Sequence, residues 1–201
     1  MISPESETKA DRSKTNWRNS NRMGLGRWYK RWRHGRGFGV HSPLAYALVT
    51  EVLRKQRGYA YRAEQAPGLG DGVLCNGRAR MLVRLAAFAD ARTADVSHID
   101  DSGMRQAVVD VLRAYSHDIQ FSDMGADIVV TDSTSTYEVQ PPGKKTVLLV
   151  FLGLDDAAKR RAMDKTLSEI KKGAITIDNA RDSAVTALRQ DLPRQVIEAV
   201  F

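Results

Sequence analysis

Asp132 closes the apolar run Ile128-Val129-Val130 and is followed by Ser133, Thr134 and Ser135. Doubly wound sheets hold ligands beyond the carboxyl ends of their strands, so an acid there is a candidate binding group. The competing reading is a solvated acid at a strand end. Gly68-Leu69-Gly70-Asp71-Gly72 has the glycine density of a cofactor loop. No strand precedes it, and a flexible loop is the better reading. His41, His98 and His117 share no ligand spacing with one another or with Cys75, so no zinc set is legible. His98 is expected inside a strand with its ring satisfied, and His41 to hydrogen-bond beside a helix start. Catalytic triads are spatial, so no catalytic residue can be named from spacing alone.

The second group able to do chemistry is basic and aromatic. Residues 1–50 carry ten Lys/Arg and three acids, which accounts for the whole formal net charge of +7. The remainder is balanced, with 21 of each sign. All three tryptophans lie between Trp17 and Trp32, among arginines. Three roles are open. Arginine with interleaved aromatics suits nucleic acid, with Arg27, Lys30, Arg31 and Arg33 as the contacts. A helix with Trp28 and Trp32 on one side suits an anionic membrane surface. Alternatively, Leu25, Trp28 and Trp32 dock on the domain itself or form a homodimer.

The elements that must position these groups read as follows. Residues 1–24 are polar and charged and are expected to be a disordered basic tail. A helix begins at Leu25, with Leu25, Trp28, Tyr29 and Trp32 on one face and Arg27, Lys30, Arg31 and Arg33 pointing elsewhere, and glycines 35, 37 and 39 end it. Ser42-Pro43 is an N-cap followed by proline at the first helical position, and Gly58 suits the end of that helix. Residues 59–77 form a loop. A helix follows with Met81, Leu82, Leu85 and Phe88 on one side and Arg78, Arg80 and Arg84 on the other. Strands are expected at Ala94–Ile99, Ile119–Phe121, Ile128–Val130 and Thr146–Leu152, with a helix over Ser102–Ala114. The last of these strands is a continuous apolar run, as in a parallel strand buried on both faces. Asp155 or Asp156 caps a helix that reaches Lys172. Ala174–Ile177 and Ala184–Leu188 close the chain as a hairpin around residues 178–182. The expected fold is α/β: a Rossmann-like, mostly parallel sheet with helices on both faces and a C-terminal antiparallel hairpin, preceded by N-terminal helices. The domain spans 25–201, with 25–92 helical and 93–201 the sheet core. Ala94–Ile99 and Thr146–Leu152 are expected side by side and pointing the same way. No apolar stretch reaches the roughly 20 residues of a membrane-spanning helix, and no signal core opens the chain, which points to the cytoplasm.

This order of elements resembles that of class I S-adenosylmethionine-dependent methyltransferases. Gly39-Val40-His41-Ser42-Pro43-Leu44 and Arg80-Met81-Leu82-Val83-Arg84-Leu85 are similar to segments of a bacterial O-methyltransferase branch. So are Ala126-Asp127-Ile128-Val129-Val130-Thr131-Asp132, Thr176-Ile177-Asp178-Asn179-Ala180-Arg181 and Ala187-Leu188-Arg189-Gln190-Asp191-Leu192-Pro193. The resemblance covers about residues 27–201. It implies S-adenosylmethionine as cofactor, a small-molecule methyl acceptor, and Asp100, Ser102, Gly103 and Asp132 as the cofactor-side residues. The family's first strand runs into a glycine-rich turn, because a close backbone approach to the cofactor tolerates no side chain. Here Asp100-Asp101-Ser102-Gly103 follows instead, and at least one βα unit is missing. If Val96–Ile99 replaces the family's second strand, Asp100 matches the acid that binds the ribose hydroxyls. If it replaces the first, Asp100 stands in the glycine turn and abolishes the pocket. Magnesium-using members pair carboxylates after the fifth strand; Phe151-Leu152-Gly153-Leu154 stands there, so no metal is expected. The expectation is a methyltransferase-like protein with weak or lost catalysis. The alternative is a binding or assembly module that uses the basic N-terminal arm for nucleic acid, an acidic partner or self-association.

Overall fold

The computed structural model describes residues 25–37, 39–54 and 74–201. The expectations for the N-terminal tail, for Gly58 and for the glycine cluster at 68–72 lie outside them.

Helix α1 spans Leu25–Gly35. Helix α2, Pro43–Ala47, begins where Ser42 Oγ accepts a hydrogen bond from the Ala45 amide at 3.4 Å, and continues as a π-helical segment, Leu48–Leu53. Helix α3 spans Asn76–Phe88, α4 Ser102–Tyr115 and α5 Ala157–Glu169. Asp101 caps α4 by accepting from the Met104 amide at 2.6 Å, and Asp156 caps α5 by accepting from Ala158 at 2.6 Å. Helix α5 ends at Glu169, short of the expected Lys172, because Ile170 leaves the helix to join the core.

The strands are β1 (Thr93–Asp95), β2 (Gln120–Phe121), β3 (Ile128–Thr131), β4 (Val147–Phe151), β5 (Ala174–Asp178), β6 (Ala184–Leu188) and β7 (Gln195–Glu198). They form one sheet in the order β2-β1-β3-β4-β6-β5-β7. Strands β1 to β4 are parallel, and β6 is antiparallel to both β4 and β5. The expected α/β architecture is therefore present. Strands β1 and β4 run in the same direction, with β3 between them.

Two expectations need correction. The first strand ends at Asp95, not Ile99, because Ser97 turns back to donate its amide and hydroxyl to Asp95 Oδ1 at 2.8 and 2.7 Å. His98 therefore lies in a turn, half-exposed, and not inside a strand. The hairpin is also not the end of the sheet: β7 adds a further strand, parallel to β5.

Alternation along the strands builds two cores. Ile128, Val130, Leu148 and Val150 face α2, α3 and α4, together with Leu48, Leu82, Leu85, Val108 and Leu112. Val129, Leu149 and Phe151 face α5 through Met163. A buried carboxylate ties the amino edge. Asp127 accepts from the amides of Arg92 and Thr93 at 2.9 and 3.3 Å and from Lys145 Nζ at 2.5 Å, joining the starts of β1, β3 and β4.

Candidate functional site

Two places on the carboxyl edge of the sheet merit comparison. The first is the switch point, where the chain leaves β1 for β2 on one side and β3 lies on the other; doubly wound sheets bind ligands at such points. Asp100 and Asp132 both stand there. Asp132, expected as a ligand group or a solvated acid, is buried and accepts from Lys159 Nζ at 2.5 Å. Gly153 makes room for this pair. Its φ is +65°, and a Cβ there would run into Asp132 Oδ1 and Lys159 Nζ. Asp100 is exposed and accepts from the Thr134 amide at 3.4 Å. Ser102 and Gly103 are exposed in the first turn of α4.

The two loops are laced together. The Asp132 amide and the Thr131 hydroxyl both donate to the His98 carbonyl at 3.1 Å, and Arg105 closes the turn by donating to the Ile99 carbonyl at 2.5 and 3.1 Å. A group not singled out from the sequence is buried beside them. Asp95 Oδ2 has no hydrogen-bond partner among the described residues, and His98 Nε2 lies 3.7 Å from it. The His98 ring meets Tyr137 edge-on at 4.8 Å, and burial, with the Asp95 charge, raises the Tyr137 hydroxyl above its ordinary pKa. On the far side of β1, β2 is two residues long, and the chain returns to β3 through residues 122–127 without a crossover helix.

The second place is a cleft of about 600 Å³ between α1, α3, the β5–β6 turn and the residues after β7. It opens on the same edge, because β6 begins beside the carboxyl end of β4 (Ala184 opposite Phe151) and β7 ends beside that of β5. Among the described residues, five arginines line it, Arg36, Arg54, Arg78, Arg80 and Arg84, against one acidic side chain, Asp182. That acid is committed. Arg78 donates to Asp182 Oδ2 through Nε at 3.2 Å and Nη2 at 2.6 Å, while Asn179 Nδ2 donates to Oδ1 at 2.7 Å. Burial disfavours the Asp182 charge, but the Asn179 and Arg78 hydrogen bonds outweigh it and hold the carboxyl below its ordinary range. Asn179 in turn accepts from the amides of Arg181, Asp182 and Ser183 at 2.8–3.1 Å, so the turn that carries Asp182 is held from within.

Arg84 is differently placed. It donates to the Leu53 carbonyl at 3.4 Å, its Nε has no hydrogen-bond partner, and it makes no ion pair among the described residues. Burial and then the charge of Arg80, one turn earlier on α3, push its pKa down. A guanidinium stays charged even so.

Helix α1 forms the mouth of the cleft, and of the open roles the one that docks Trp28 on the domain is not what is found. Arg31 is 2% exposed, whereas Trp28 and Tyr29 are 48% and 53% exposed. The docked side uses Arg27 to Glu198 Oε1 at 3.3 Å and His34 Nδ1 against the Glu198 carbonyl at 3.0 Å, and packs Gly35 on the Val200 backbone. Arg31 faces the Glu198 and Asp178 charges and, being buried, is not a contact for an outside partner. Lys30 and Arg33 are exposed.

The sequence pattern brought Asp100 and Asp132 to one edge, as found. It did not single out Asp95, whose signal was an acid inside an apolar run, or the cleft, whose signal was three arginines, Arg78, Arg80 and Arg84, on one side of a helix with an apolar opposite side. No described helix is long and apolar enough to cross a membrane. Compared with protein-family models, curated proteins and solved structures, the chain matches none.

Proposed function

We propose that this chain is a binding module on a Rossmann-like scaffold, and that its ligand is an anion held in the arginine-lined cleft. One observation carries the reading: among the described residues, five guanidinium groups line a single cleft with one acidic side chain, Asp182, which is already bound by Arg78. The volume falls within the roughly 300–1,000 Å³ of small-molecule sites, and it lies at the sheet edge where such folds bind.

The methyltransferase-like reading draws its support from the mostly parallel sheet with its antiparallel β5–β6 hairpin. Its cofactor would lie at the switch point. That position offers the methionine carboxylate two acids, Asp100 and Asp101, in place of a glycine turn. Asp132 is engaged by Lys159. The two-residue β2 supplies little wall beyond β1. These features favour the module over the transferase.

Calorimetry separates the two. Pyrophosphate is expected to bind the full chain, with affinity falling as salt rises and falling again in Arg84→Gln or in Arg36→Gln/Arg54→Gln. S-adenosylmethionine and S-adenosylhomocysteine are expected to bind more weakly than about 100 µM, roughly −5.5 kcal/mol. Tighter binding of either, with no heat from pyrophosphate, would overturn the module.

A further inference from the structure

We infer that the anion is the terminal phosphate of a single-stranded nucleic acid whose neighbouring bases stack along the outer face of α1. The inference rests on the anion-binding reading of the cleft, but a separate set of observations carries it. Trp28, Tyr29 and Trp32 form a stacked array. The Trp28–Trp32 centroids are 6.4 Å apart with planes at 22°, and the Tyr29–Trp32 centroids are 5.9 Å apart at 21°. Trp28 and Tyr29 are half-exposed although they are large aromatics, so their faces are not spent on the core. Guanidinium groups flank the array: Arg36 lies over the Trp32 ring at 3.8 Å, and Arg33 approaches the Tyr29 ring at 6.0 Å.

The array and the cleft are continuous, because Trp32 and Arg36 belong to both. A ligand with its phosphate against Arg80 and Arg84 would therefore lead outward over Trp32 to Tyr29 and Trp28. Aromatic rings that alternate with cations accept bases of any sequence, since every base has a π face, and each stacked base contributes about 1–3 kcal/mol. A duplex hides those faces, so the strand must be single. A membrane-surface helix would present a broader apolar stripe. Here the exposed neighbours of Trp28 and Tyr29 on α1 include Arg27, Lys30 and Arg33.

The test is calorimetry on the full chain with four probes: a short oligothymidylate bearing a terminal phosphate, the same oligomer without it, thymidine monophosphate and pyrophosphate. The phosphorylated oligomer is expected to bind at least about tenfold tighter than the mononucleotide, as one or more stacked bases require, and tighter than its unphosphorylated counterpart. Trp28→Ala/Tyr29→Ala is expected to remove that advantage while leaving pyrophosphate affinity unchanged. Because both side chains are exposed, this variant keeps the fold. Arg80→Gln/Arg84→Gln is expected to lose both ligands; the exposed Arg36→Gln, which cannot disturb the core, provides the same reading in weaker form. If pyrophosphate binds but the oligomer gains nothing over the mononucleotide, or the aromatic variant binds it equally well, the inference fails and the anion site stands. Capture of anionic vesicles that the oligomer does not displace overturns it too. If pyrophosphate itself does not bind, both readings fall.

Discussion

Asp127 shows how one side chain can hold an edge of the sheet. Burial alone would raise its pKa, but the Lys145 ammonium and the Arg92 and Thr93 amides favour the charged form more, and the carboxyl sits below the ordinary aspartate range. A depressed folded-state pKa means that the unfolded chain binds more protons. The stabilisation is thus complete above the ordinary aspartate value and is lost as pH falls below it. Asp127→Ala leaves two part-buried amides without their acceptor, and a loss of about 2 kcal/mol is expected in urea unfolding at neutral pH. The variant should also have a flatter stability profile on the acid side than the parent. An equal loss at every pH would refute the carboxylate's role. Lys145 is largely exposed, so the amides rather than the ion pair are expected to carry most of the effect.

At the scale of elements, α1 illustrates the limits of pattern. Its aromatic stripe has helical spacing, and spacing alone assigns such a stripe to the core. The surface that receives α1 is not apolar, however: it presents Glu198 and Asp178, both drawn to the cation of Arg31. That surface exists because β7 forms, and β7 was illegible. Of its four residues only Ile197 is buried, and Pro193 precedes it. By contrast, β4, the β5–β6 hairpin and the Ser42 cap were legible, because each rests on local chemistry: a continuous apolar run, turn residues between two short strands, and a serine before proline. The docking of α1 can be tested at its tightest point. A Cβ on Gly35 would approach the Val200 carbonyl oxygen to 2.6 Å, and the obstacle is backbone. Gly35→Ala is therefore expected to loosen α1 and expose it to limited proteolysis. Trp28→Ala is expected to change stability by no more than about 0.5 kcal/mol. Equal protease resistance of Gly35→Ala and the parent would count against this docking.

Across the whole molecule, the candidate sites differed in legibility for a topological reason. Asp100 and Asp132 follow adjacent parallel strands, so reading the strands was enough to bring them together. The cleft gathers residues from 32–36, 53–54, 75–84 and 179–201, and no local pattern joins segments so far apart. Charge was legible in amount and misleading in place. The N-terminal arm accounts for the net excess, yet three of the cleft arginines come from α3, in a stretch whose charges balance overall.

The position of the aromatic array has a consequence for spectroscopy. The chain's three tryptophans all precede residue 33, and the two described ones, Trp28 and Trp32, lie on α1 and not in the sheet. In a Trp17→Phe background, indole emission will therefore report the attachment of α1, while circular dichroism reports the sheet. If α1 separates first, the two melting curves will part company, and their gap will measure how firmly that helix is held rather than reveal a folding intermediate of the core.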